Sequence, residues 1–177
     1  MRLLCNLMLS ACAFFVTGCN SMPKKTPEIV PAIEVKKPVE TSLTVIGAIE
    51  PIYLIPMKAP FAARIDTGAT TSSIDADNIK PFERDGEKWV AFDIINRQTG
   101  EKHHFEKEIV GTTEIKRLHQ HEKRYIVRMD IKFGKEIITN ARFNLANRDK
   151  FEYQALIGRN ILTGRAVVDT SLSNTLN

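Results

Sequence analysis

The strongest constraint on this chain is how its apolar residues are distributed. Between Leu43 and Val168 they fall in short runs, rich in Val, Ile and Phe, that alternate with polar residues. A period of two with β-branched and aromatic enrichment is the signature of half-buried strands. The runs predict strands at 44–49, 52–55, 61–65, 89–94, 103–109, 125–133, 136–145 and 166–168. Gly134 divides two of the longest runs and reads as a hairpin turn. Asn96 to Gly100 serves similarly between the strands at 89–94 and 103–109. The only helix candidate is a short one at Asn160–Leu162, just after Gly158. Many short strands at close spacing, with no internal repeat, predict an all-β sandwich or closed barrel with one short C-terminal helix.

Everything before this domain reads as address and spacer. Met1-Arg2 supplies a positive charge, and Leu3 to Val16 is interrupted only by the polar Asn6 and Ser10. That run is too short to span a bilayer permanently but suits a signal-peptide core. It ends in Val16-Thr17-Gly18-Cys19, which resembles the lipobox of bacterial lipoproteins. The resemblance implies a signal peptide at 1–18, cleavage before Cys19 and lipidation of its thiol; the competing reading is an ordinary secretory signal. Asn20 follows Cys19 where many inner-membrane lipoproteins have Asp, so the expectation is anchoring on the periplasmic side of the outer membrane. All three cysteines, Cys5, Cys12 and Cys19, lie in this leader, so they report export and say nothing of a disulfide framework. Residues 19–42 carry four of the eight prolines, at Pro23, Pro27, Pro31 and Pro38, among Lys and Glu. Such a segment holds no helix and reads as an extended tether. The folded domain is thus expected at 43–177.

The formal charge of +4 is mild and evenly spread, which argues against a nucleic-acid partner. His103-His104 and His119-Gln120-His121 lie in a polar stretch, but no cysteine survives processing to join them. They read as exposed loop or hairpin residues and not as a zinc site, so no metal or cofactor is expected.

The chemistry lies elsewhere. In Phe61 to Ile74 an apolar strand delivers Asp66 onto the turn Thr67-Gly68-Ala69-Thr70-Thr71, and a second strand leaves. Gly68 lets the backbone fold close beside the carboxylate, and Thr67 can brace the turn through its hydroxyl. Alone, this triplet is no more than an Asx-type turn. About 90 residues later comes Ala155-Leu156-Ile157-Gly158-Arg159-Asn160-Ile161-Leu162. Together, and in this order, the two motifs resemble those of the retroviral-type aspartic proteases, the retropepsins. The blocks IGAIEPIYL, RIDTGATTSSIDA, WVAFDI, FNLANRD and LIGRNILTGRAVVD further resemble a bacterial branch of that family often named ATP-dependent zinc proteases. Neither half of that name has support in the residues, since there is no GxxxxGK[ST] and no HExxH.

The resemblance implies a retropepsin-like barrel, Asp66 as the catalytic residue within the loop Thr67, Gly68 and Ala69, and Gly158, Arg159 and Asn160 in a strand and helix packed behind that loop. It also implies a hairpin flap between the motifs, in the interval 97–122, closing over a peptide substrate. One departure stands out. Thr70 occupies the position where retroviral enzymes place an Asp that pairs with the Arg of the second motif. That leaves Arg159 to cap the Thr70-Thr71 turn or to reach a carboxylate such as Asp149.

Aspartic-protease chemistry needs two carboxylates sharing a proton around one water. This chain has a single Asp-Thr-Gly, and Asp169-Thr170-Ser171 has only eight residues after its Asp, too few for a second lobe. The economical solution is a homodimer in which Asp66 meets its copy across a twofold axis. Ala69 offers the carboxylate no hydroxyl, so the dyad is expected to work nearer neutral pH. The competing readings are a non-catalytic binding or scaffold lipoprotein on the same fold, and a processing enzyme for unusual peptide linkages.

Overall fold

The computed structural model describes residues 43–117 and 120–176. The signal at 1–18, Cys19, the tether at 19–42 and His119 lie outside the described residues. Thr44–Ile46 (β1) and Ile49–Leu54 (β2) open the domain, Phe61–Ile65 (β3) runs up to Asp66, and Ser72–Asp75 (β4) leaves the loop. Asp77–Arg84 (β5), Glu87–Ile95 (β6) and Lys102–Glu108 (β7) follow, then Gly111–Arg117 (β8), Gln120–Phe133 (β9) and Glu136–Ala146 (β10). Ala155–Ile157 (β11), Arg159–Leu162 (α1) and Ala166–Val168 (β12) complete it.

Six strands close a barrel in the order β10-β4-β11-β3-β2-β9, with β9 pairing back onto β10. The alternation seen in the sequence is the reason this sheet can close. In β2, Glu50, Ile52 and Leu54 point inward while Ile49, Pro51 and Tyr53 are half-buried. In β3, Phe61, Ala63 and Ile65 are buried and Arg64 is exposed. Met129, Ile131, Phe143, Leu145, Ile157 and Ile161 fill the interior, each contributing roughly 1.5–3 kcal/mol through burial. The antiparallel sheet β5-β6-β7 joins the same core through Val90, Phe92, Ile94 and Phe105.

The other expected strands and the short helix are present, but the run expected at 44–49 breaks after Ile46, its last residue opening β2; the turn glycines sit where predicted, with φ of 73° at Gly100 and 58° at Gly134. Four strands were not foreseen from alternation: β4 and β11, which the two motifs alone announced, and β5 and β8. β5 is charged and mostly exposed because it is an edge strand paired only to β6, which also explains how it tolerates Pro81. β8 pairs with the outer half of β9, so the hairpin between the two motifs spans 111–133. The expected flap interval of 97–122 is therefore divided: residues 102–108 pair with β6 instead.

The two ends of the domain are tied together. β1 and β12 form a parallel pair, and the tail beyond them returns to β2. Ala48 N–H donates to Leu172 O at 2.8 Å, and Asn174 N–H to Ile49 O at 2.8 Å. Glu50, with no exposed surface, accepts from the Thr175 hydroxyl at 2.7 Å and the Leu176 N–H at 3.0 Å, and also from the Gly47 and Thr175 amides. Burial pushes the Glu50 carboxyl up, but the Thr175 hydroxyl and the three amides outweigh it, so the net shift is downward.

Candidate active site

The loop after β3 is built by the strand that arrives last. β11 lies between β3 and β4, parallel to the first and antiparallel to the second. Asp66 N–H donates to Ile157 O at 2.9 Å, extending the β3–β11 ladder by one residue. The chain then turns tightly: Gly68 N–H and Ala69 N–H both donate to Asp66 Oδ1, at 2.9 and 3.1 Å. Asp66 Oδ2 has no partner among the described residues. Two amide donors on one oxygen hold the carboxylate in a fixed rotamer without help from a side chain. Thr67, Gly68 and Thr70 are exposed, while Asp66 and Ala69 are half-buried.

The second motif meets this loop at every residue named from the sequence. Gly158 passes so close behind it that a Cβ would stand 2.8 Å from Ala69 O and 2.9 Å from Thr71 C. Only a residue without a side chain fits. Arg159 N–H donates to Ala69 O at 2.8 Å and Asn160 N–H to Thr70 O at 3.2 Å. The Arg159 guanidinium spans the loop from outside, donating to Thr67 O at 3.0 Å, Gly68 O at 2.7 Å and Thr70 Oγ1 at 2.9 Å. Its partner is thus the Thr70 turn, and Asp149 instead faces Arg97 and Asn147. Thr67 takes part through its carbonyl, with no bond from its hydroxyl among the described residues, contrary to the bracing role expected for that hydroxyl. Asn160 Oδ1 accepts from both Ser72 N–H and Ser72 Oγ, and its Nδ2 donates to Arg142 O. Ser72 Oγ in turn accepts from Gly158 N–H at 3.0 Å.

Sequence reasoning missed Ser72, whose hydroxyl joins the two motifs, and a polar cluster on the outer face of the same strands. Buried Asp75 accepts from Arg148 N–H at 2.6 Å, Arg97 Nη2 at 2.5 Å and Gln154 Nε2 at 3.3 Å. Arg148, also buried, donates to Ser73 Oγ and Tyr153 O and stacks over Phe151. Burial first, then the Arg124 charge, lowers the Arg148 pKa against the pull of Asp75. The block FNLANRD carries the only sequence sign of this cluster.

His103 and His104 lie on β7, and His121 lies on β9. His103 packs edge-on against Phe105, and His104 Nδ1 meets buried Asp93 at 2.7 Å. Asn78 and Lys102 complete the shell around Asp93. Among the described residues, no group of three or more His, Cys, Asp or Glu is placed to hold a metal ion.

These geometries agree with comparisons to known proteins. A crystal structure of Lpg0085 from Legionella pneumophila, a protein of unknown function, superposes with a TM-score of 0.65 at 32% identity, covering 76% of this chain and 98% of that one. Proteins named probable alpha-L-glutamate ligase from Shewanella pealeana and Desulfotalea psychrophila are 39% identical over 114 residues and 35% over 115. The matches cover 63% and 62% of this chain but only 25% and 24% of those proteins, so it spans about a quarter of the curated relatives' length. The model of the RimB-like family, described as retropepsin-like aspartic endopeptidase RimB, matches residues 45–176. With the Asp66 loop and the Gly158-Arg159-Asn160 brace inside that span, the chain belongs to the RimB-like family of retropepsin-like aspartic endopeptidases.

Proposed function

We propose that this chain is an aspartic endopeptidase in which Asp66 and its copy from a second chain form the catalytic dyad. The observation that carries this reading is the Asp66 carboxylate, pinned at Oδ1 by Gly68 and Ala69 N–H on an exposed loop. With one carboxylate ionised and the other protonated, the first takes a proton from water. The water oxygen attacks the scissile carbonyl carbon while the protonated carboxyl donates to the carbonyl oxygen. Collapse of the resulting diol breaks the C–N bond, with a proton passing to the amine. One loop per chain supplies half of this machinery, so pairing is part of the proposal. Exposed apolar side chains on the β1–β12 pair, Val45 at 54% and Val167 at 49%, with Leu43 and Leu172 nearby in sequence, give a surface that favours association.

The names of the relatives favour a substrate class. A domain matching a quarter of a protein named for ligating glutamate suits hydrolysis of glutamate-bearing peptide linkages. Lipidation at Cys19 and a tether at 19–42 would present the domain to such peptides on the periplasmic side of the outer membrane. A Cys19→Ser variant that still incorporates labelled palmitate counts against that placement.

The deciding measurement is cleavage of a peptide library by the full chain in detergent, with and without Asp66→Asn. Cleavage is expected to disappear in the variant. Persistence of cleavage removes Asp66 from catalysis, and a wild-type chain that binds peptides without cutting any is a scaffold on the same fold. Sedimentation tests the pairing separately, since a monomer at every active concentration cannot assemble the dyad.

A further inference from the structure

One row of side chains crosses four adjacent strands beside Asp66. Asn144 on β10 pairs with Ser73 on β4, Ser73 with Leu156 on β11, and Leu156 with Arg64 on β3. Their strand neighbours Phe143, Ile65 and Ile157 point into the barrel, so this row faces outward. Arg64 lies two residues before Asp66, whose amide still belongs to the ladder, so the two side chains leave the same face of the sheet.

Two features of the row point to a ligand. The Arg64 side chain is exposed and makes no hydrogen bond or ion pair among the described residues, its charge being felt at the Tyr153 hydroxyl. At the other end, Asn144 is only 9% exposed and its Oδ1 has no hydrogen-bond partner, an acceptor withdrawn from water with nothing to accept from. Between them, Ser73 Oγ receives Arg148 Nη1 at 3.0 Å. An exposed guanidinium two residues before the proposed reacting carboxylate, on the same face of the sheet, invites an anion, and a buried lone acceptor invites an N–H. An extended peptide bearing a carboxylate side chain supplies both.

We propose that Arg64 is a specificity-determining residue that binds an acidic side chain flanking the scissile bond, and that Asn144 Oδ1 accepts a backbone N–H of the same peptide. This rests on the endopeptidase reading and adds to it the residues that select the substrate. A neutral side chain forfeits the ion pair, and a basic one meets repulsion.

The test compares fluorogenic peptides that differ only in Glu, Gln or Lys at the residues flanking the cleaved bond, using the full chain in detergent. The wild type is expected to favour the Glu peptide in kcat/KM. Arg64→Gln lowers the Glu-to-Gln ratio at least tenfold, and Arg64→Glu inverts it in favour of a Lys peptide. In an Asp66→Asn background, Arg64→Gln weakens binding of the Glu peptide by a similar factor, read by fluorescence anisotropy. Asn144→Leu weakens the Glu and Gln peptides alike, because the bond it removes is to the backbone. An unchanged ratio in Arg64→Gln, or equal binding of the Glu and Gln peptides by the Asp66→Asn chain, overturns the assignment. If the wild type cuts none of the peptides while Arg64-dependent binding persists, the catalytic reading fails and the role of Arg64 stands.

Discussion

Asn160 and Ser72 share a single oxygen: the Asn160 carboxamide accepts both the Ser72 amide and the Ser72 hydroxyl, each at 2.8 Å. The pair stitches the start of β4 to α1 across 88 residues of sequence. Asn160→Ala leaves the Ser72 amide and the Arg142 carbonyl without partners, and is expected to cost about 2 kcal/mol in urea unfolding. A variant as stable as wild type would show that the loop stands without this bridge.

Gly158 permits no side chain. Gly158→Ala drives a methyl group against Ala69 O and the Thr71 carbonyl, so either the loop or β11 must shift. The expected loss is about 1–3 kcal/mol, visible as a lowered melting temperature together with reduced cleavage. Gly86, whose surroundings are open, provides a contrast because its strain lies only in its φ of 80°.

Arg159 acts on the loop through three bonds that need a planar fork. Arg159→Lys keeps the charge but cannot reach Thr67 O, Gly68 O and Thr70 Oγ1 together. Because the side chain is exposed, stability should change by less than about 1 kcal/mol. Cleavage should fall by roughly tenfold or more, since small displacements of a catalytic group are costly. Faster exchange of the Gly68 and Ala69 amide protons is the structural readout, and unchanged exchange contradicts the bracing role.

Asp93 gives the domain an acid-sensitive contact. Hydrogen bonds from Asn78, His104 and Lys102, in that order, hold its carboxyl far below the ordinary value of 3.8. A pKa depressed by folding stabilises fully above the unfolded value, and that contribution drains away as pH falls toward the folded one. The stability gap between wild type and Asp93→Asn is therefore expected to be widest near neutral pH and to close below about pH 4. Unfolding midpoints across that range decide it; a gap that does not narrow in acid excludes Asp93 as the source.

Glu50 ties the tail to the barrel. Ending the chain after Leu172 removes Thr175 and Leu176, which supply three of the four hydrogen bonds to the Glu50 carboxylate, and leaves it with the Gly47 amide. The expected destabilisation is about 3 kcal/mol or more, because three hydrogen bonds to a charged group are lost together. Glu50→Gln in the shortened chain should recover part of it.

What could be read from the sequence follows from what periodicity measures. Alternation finds strands with one wet and one dry face, so β2, β3, β6 and β10 were legible. It fails where polarity and burial part company. All four residues of Ser72-Ser73-Ile74-Asp75 are buried, two of them because other strands and Arg148 cover the outer face. It fails again on β5, an exposed edge with little to hide. The Asp66 loop was legible as a motif, since Asp66, Gly158, Arg159 and Asn160 keep a recognisable order. The hydroxyl of Ser72, the orphan oxygen of Asn144 and the exposed guanidinium of Arg64 were not. Their meaning comes from strand register, which joins residues far apart in sequence and leaves no local pattern.

The insertion of β11 between β3 and β4 also orders events in time. As the chain leaves the ribosome, Asp66 emerges long before Ala155–Ile157, and until that strand arrives β3 and β4 have no neighbour between them. Long-range pairing of this kind is paid for late in folding. A nascent or truncated chain therefore carries the aspartate without its cradle, and any hydrolytic capacity switches on only when synthesis of the domain is nearly complete.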